Sequence, residues 1–241
     1  MSFDISRYVT EGDAGMHFSQ VQANHFAKGV AGDFNPIHDI GAKRFCVPGD
    51  LLFAALLNRF GVFDNLTVDL MSLVSADVVV ELPKTLSAKN EICDAQGRHI
   101  LSLNVSGNST DDAAFVSGLV QQYVQFSGKT FPDILVDLMR ENNVMINPAR
   151  PLVIYKDMSL QLDALTGDNL TLELDKATLD ADGKKGKACL RFVIKSGGNI
   201  IGRGEKNMLL SGLREFDEAA MNDVVAQYTA WKSSYVAVEL E

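Results

Sequence analysis

The segment Val47-Pro48-Gly49-Asp50-Leu51-Leu52-Phe53-Ala54-Ala55-Leu56-Leu57 is apolar on nearly every side beyond its first four residues. Pro48 and Gly49 halt the chain before it. A helix without a polar face belongs inside a protein, with sheet or helix packed around it. Strand signals come next. Val78 to Leu82 is rich in β-branched residues. From His99 to Ser106, Leu101, Leu103 and Val105 alternate with Ser102, Asn104 and Ser106, the two-residue period of a strand with one buried face. Asp94-Ala95-Gln96-Gly97 reads as a hairpin turn before that strand, and Val116 to Phe126 as a further strand.

The order then recurs. Phe131 to Met139 is a second apolar helix led by a proline. Strand patterns follow at Leu152 to Leu162, at Leu170, Leu172 and Leu174, at Leu190, Phe192 and Ile194, and at Ile200 to Leu210. Asp182-Gly183 and Ser196-Gly197-Gly198-Asn199 supply turns between them. Near the end, Phe216, Ala220, Val224, Tyr228 and Trp231 recur at helical spacing, as in a helix packing one stripe on the body. The reading is an α+β chain of two similar halves, residues 1–127 and 128–213, with a helical tail over 214–241.

The formal net charge of −9, from 22 basic and 31 acidic residues, argues against broad nucleic-acid binding and against docking on an anionic membrane. Three scattered cysteines without a CxxC pair speak against a disulfide framework or a zinc site, and so for a reducing compartment. The first residues lack a basic stretch followed by an apolar run, so no signal peptide is expected. Cys46, close to the cluster described next, reads as a packed thiol.

A short helix over residues 19 to 30, capped by Ser19 and ended by Gly32, leads into Asp33-Phe34-Asn35-Pro36-Ile37-His38. Pro36 fixes its own φ and biases Asn35 towards extended backbone. The Asn35 side chain can hold such a turn through backbone bonds. The turn can aim the Asp33 carboxylate and the His38 imidazole at one small volume, which suits general acid–base chemistry on a water.

With Gly32 this segment resembles the signature of the MaoC-like, R-specific enoyl-CoA hydratases, Gly-Asp-x-Asn-Pro-aliphatic-His, matched at Gly32, Asp33, Asn35, Pro36, Ile37 and His38. Phe18-Ser19, Phe26-Ala27 and Val30 are similar to that family's lead-in helix. The resemblance implies a double hot-dog fold, in which a central helix in each half is wrapped by a curved antiparallel sheet, plus the C-terminal helix. It implies that Asp33 and His38 activate the water that adds to a 2-enoyl thioester, with the backbone N–H of Gly49 as donor to the thioester oxygen. Asn35, Lys43 and Arg44 are then the substrate-binding candidates. Coenzyme A or an acyl carrier protein enters only as part of the acyl-thioester substrate, and no metal or other cofactor is implied. A homodimer is expected by the same resemblance, and a cytoplasmic location from the cysteine pattern and the expected lack of a signal peptide. Where the family has a His-Gly pair at the helix start this chain has Pro48-Gly49, followed by the acid Asp50, and the connection from Asp39 to Val47 is shorter. A non-catalytic acyl-thioester-binding or structural protein, and a hot-dog thioesterase, stay open as alternatives.

Overall fold

The computed structural model describes residues 4–13 and 15–236. Its helices are α1 (Gln20–His25), α2 (Gly49–Phe60), α3 (Ala113–Ser127), α4 (Leu135–Glu141) and α5 (Glu218–Ser234). Its strands are β1 (Thr10–Gly12), β2 (Gly15–His17), β3 (Val62–Leu70), β4 (Lys89–Cys93), β5 (His99–Thr110), β6 (Val144–Met145), β7 (Val153–Leu162), β8 (Leu170–Asp182), β9 (Lys185–Ser196), β10 (Asn199–Ser211) and β11 (Arg214–Glu215). Two short pairs, β1 with β2 and β6 with β11, stand apart from one seven-stranded antiparallel sheet in the order β4-β5-β3-β7-β10-β9-β8.

The two sequence halves meet inside that sheet. β3 pairs with β7, setting Leu66 against Leu160 and Val68 against Met158. All four side chains are buried, so the seam belongs to the core. Register shifts in the pairings of β3 with β5, β10 with β7 and β8 with β9 insert an extra residue on one strand, which bends a sheet and increases its twist.

α2 lies within this frame as its composition predicts. Leu51 through Leu57 are all buried, with no polar face left over. Each such leucine or phenylalanine contributes about 1.5–3 kcal/mol on leaving water. Phe53 stacks on Tyr123 of α3 at 4.4 Å, and Tyr123 meets Phe192 of β9 edge-on at 5.8 Å. One core therefore runs from α2 through α3 to the second half of the sheet.

Two strand expectations are overturned. Val116 to Phe126 is helical, inside α3. Asp112 caps the helix through the Phe115 N–H (2.8 Å), and the buried residues Phe115, Val116, Leu119, Val120, Tyr123 and Val124 recur at the helical period. β-branched content was the misleading signal there. Val78 to Leu82 forms only isolated bridges, Val80 to Met16 and to Asp94. Asp77 in the left-handed region (φ 61°) and Pro83 leave too little chain between them for a ladder. The second Pro-led helix is shortened: Phe131 is extended before Pro132, and regular helix starts at Leu135. α3 is consequently the long helix that packs on both α2 and β8. The C-terminal helix forms, but of the expected stripe only Tyr228 is buried; Phe216 precedes the helix, Trp231 is exposed, and Met221 is the other residue it buries. No helix among the described residues is long and apolar enough to cross a membrane.

Candidate active site

The loop that carries the acid and the imidazole is fixed from both ends. Ser19 and Gln22 make a reciprocal capping box at the start of α1, the Ser19 hydroxyl accepting from the Gln22 N–H (3.1 Å) and the Gln22 side chain from the Ser19 N–H (3.0 Å). α1 continues as a π-helical turn over Phe26–Ala31, which Gly32 closes at φ 69°. Only glycine takes that angle without cost, and it lets the Asp33 N–H return to the Ala27 carbonyl at 2.8 Å. Two side-chain turns then follow: Asp33 Oδ1 accepts the Asn35 N–H (2.9 Å), and Asn35 Oδ1 accepts the Ile37 N–H (3.2 Å). Asn35 Nδ2 also donates to the Val153 carbonyl (3.3 Å), tying the loop to β7 of the other half.

His38 is held on its far side. Its Nδ1 lies 2.7 Å from the carbonyl oxygen of Cys46. A carbonyl only accepts, so Nδ1 carries a proton, and Nε2 is the nitrogen turned towards Asp33. The Asn24 amide donates to the His38 carbonyl at 2.9 Å. The short connection from Asp39 to Val47 thus orients the imidazole, by folding back until the Cys46 carbonyl faces the ring. Burial pushes the Cys46 thiol up to about 11, the behaviour of the packed thiol expected there.

His38 Nε2 stands 3.8 Å from Asp33 Oδ2. That is too long for a direct hydrogen bond and suits two groups sharing one water. Burial raises the Asp33 pKa above its ordinary value; the neighbouring His38 and the Asn35 N–H oppose the rise, and Asp50 adds to it. Both side chains face a cavity of about 520 Å³ whose walls come from both halves, among them Leu52, Leu70, Val74, Leu135, Val153 and Met208.

Gly49 lines the same cavity. As the first residue of α2, its N–H has no carbonyl within the helix to donate to. A Cβ there would meet Leu70 Cδ1 at 2.8 Å and Tyr155 at 3.5 Å, so the glycine serves close approach, not a turn. Asp33, Asn35, His38 and Gly49 are therefore brought to one cavity. Lys43 and Arg44 are exposed and do not line it. Among the described residues, no three His, Cys, Asp or Glu side chains converge in the manner of a metal site.

Sequence reasoning missed several contributors. The Tyr228 hydroxyl of α5 accepts the Phe34 N–H (3.1 Å) and donates to the Gly32 carbonyl (3.2 Å), clasping the loop on both sides of Asp33. Tyr228→Phe leaves the buried Phe34 N–H without this partner. The variant is expected to lose about 1–3 kcal/mol of stability, read from the urea midpoint. Lys206 of β10 is fully buried and bonds Asp50 Oδ1 at 2.8 Å. Its signal was strand parity: Gly202, Gly204, Lys206, Met208 and Leu210 share the inward face. Gly128 ends α3 where a Cβ would strike the Ala31 carbonyl, and that approach seats Thr130 and Phe131 in the cavity wall.

The architecture and the site define a class: an α+β protein with two buried helices on one antiparallel sheet and an acid–imidazole pair beside a helix amino end. The chain belongs to the family described as protein of unknown function DUF3581, whose model matches residues 3–219. No curated protein matches it. Among solved structures it is similar to a conserved protein of unknown function with hot dog fold from Alicyclobacillus acidocaldarius, at 11% identity and a TM-score of 0.48, covering 88% of this chain and 98% of that one. It is also similar to an acyl-CoA thioesterase II from Mycobacterium marinum, at 12% identity and a TM-score of 0.42, covering 89% and 99%. A MaoC-like dehydratase matches at 9% identity and a TM-score of 0.37, covering 86% and 99%.

Proposed function

We propose that this chain is a double hot-dog protein acting on acyl thioesters, and that its reaction is the addition of water to a trans-2-enoyl thioester, or the reverse. One observation carries the reading: the Asp33 carboxyl group and Nε2 of His38 stand 3.8 Å apart at a cavity that also meets the amino end of α2. A water between the two groups gives a proton to the pair as its oxygen bonds C3 of the enoyl chain. The C2–C3 π electrons move towards the thioester oxygen, where the Gly49 N–H and the field of the helix meet the developing charge. The pair then returns one proton to C2, so no net charge is gained. The apolar walls take the acyl chain. Exposed Lys43 and Arg44, on the loop after His38, would meet the phosphates of coenzyme A or of a carrier-protein arm. A homodimer and a cytoplasmic setting belong to the same reading.

Hydrolysis is the reaction to be separated from hydration, because a water held this way reaches a carbonyl carbon as readily as C3. Purified protein with crotonyl-CoA separates them. Loss of enoyl absorbance with the thioester intact is the expected result. Release of free thiol would replace hydration by thioester hydrolysis, and binding without either reaction would leave an acyl-thioester-binding protein.

A further inference from the structure

The first turn of α2 contains a conflict. Asp50 directly follows Gly49 and is 3% exposed. A carboxylate in a first helical turn suits the helix dipole, but here it directly follows the residue whose N–H is to meet a developing negative charge. Inside a protein such a charge acts at several ångströms with little screening. Left alone, Asp50 would oppose the field that Gly49 is there to provide.

The counter-charge comes from the other half of the chain. Lys206 sits on an inward position of β10, between Met158 of β7 and Leu190 of β9. Burial lowers the Lys206 pKa and the Asp50 carboxylate opposes that fall; the amino group has three acceptors, Asp50 Oδ1 at 2.8 Å, the Ser127 hydroxyl, and the Tyr123 carbonyl at 3.4 Å. The nitrogen also stands 3.7 Å from the centre of the Tyr123 ring. Core packing gives no reason for a lysine here, since a buried ion pair is seldom more stable than apolar residues of the same volume. Its neighbours do: Ser127 and Tyr155 line the cavity, the Tyr155 ring lies 5.2 Å from the ammonium, and Asp33 feels both Asp50 and Lys206.

We propose that Lys206 is a positioning residue of the active site, which neutralises Asp50 at the start of α2 so that the Gly49 N–H can polarise a thioester oxygen. The inference rests on Gly49 being that donor. The probe is 2,4-hexadienoyl-CoA, whose absorption moves to the red when its carbonyl is polarised in a site. The native chain should bind it with a red shift. Lys206→Met should bind it with similar affinity, lose the shift, and turn over crotonyl-CoA about a hundredfold more slowly at unchanged KM. Asp50→Asn/Lys206→Met removes both charges and should regain the shift and most of the turnover. Should the single variant not fold, the double variant alone carries the test: a neutral pair without the red shift overturns the proposal. So does a folded Lys206→Met that keeps both shift and kcat. A native chain that shows the shift, and loses it in Lys206→Met, yet hydrates nothing would overturn hydration and leave the role of Lys206 standing. Turnover of crotonyl-CoA that is indifferent to Lys206 would do the opposite.

Discussion

Asp33→Asn is expected to lose turnover of an enoyl thioester by about 10²–10⁴-fold while unfolding at a temperature no lower than that of the native chain. The two halves of this expectation have one cause. Asp33 is pushed above the ordinary carboxylate range by burial, more than the adjacent His38 and the Asn35 N–H pull it down. A carboxyl whose pKa is higher folded than unfolded holds its proton longer in the native state. Stability therefore falls as pH rises from the unfolded value through the folded one, and above that range the ionised Asp33 is a cost to the fold. Asparagine removes that charge and keeps an oxygen for the Asn35 N–H, so the loop bond survives. It also removes the proton acceptor. In the native chain, turnover should decline as pH drops through the raised Asp33 pKa, because only the ionised form can take a proton from water. Thermal unfolding at neutral pH beside a crotonyl-CoA assay checks both halves. An Asp33→Asn chain that is markedly less stable would mean that the carboxylate serves the loop and not the reaction.

The second large effect concerns the core. Phe53→Ala should lower stability by about 3–5 kcal/mol, and the unfolding should stay a single transition in urea. Phe53 is fully buried, stacks on Tyr123, and through it reaches Phe192 of the second half. With β3 and β7 paired in one sheet, removing the ring from the first half loosens both halves together. A variant in which one half melts ahead of the other, seen as two transitions, would show that the shared core does not couple them.

Much of the fold and of the loop was legible in the residues. The apolar run from Leu51 to Leu57 read as a buried helix because it has no polar face. The alternation at Leu101 to Val105 marked a strand with one face inward; that at Leu170 to Leu174 also marked a strand, but a register shift after Leu174 leaves that leucine exposed. The loop from Gly32 to His38 was legible because its residues act locally, through a left-handed cap, two side-chain turns and a fixed proline. α3 was misread because Val116, Val120 and Val124 carry strand propensity, while their spacing of four, which packing against α2 and β8 rewards, outweighs it. Lys206 and Tyr228 could not be joined to the site from sequence. Their partners, Asp50 and the loop at Gly32 to Phe34, lie 156 and 194 or more residues away, and only the tertiary fold sets those distances. For the same reason nothing local indicated that Asn35 would hold β7 through the Val153 carbonyl.

The Tyr228 clasp has a consequence for how the protein is made. Its hydroxyl meets the Phe34 amide across 194 residues of chain. At about 5–20 residues per second of synthesis, the loop leaves the ribosome roughly 10–40 s before the tyrosine that fastens it. Throughout that interval the nascent polypeptide already contains Asp33 and His38 but not the wall and clasp that α5 provides. The loop is therefore fastened late in translation, after the strands of the seven-stranded sheet have been laid down.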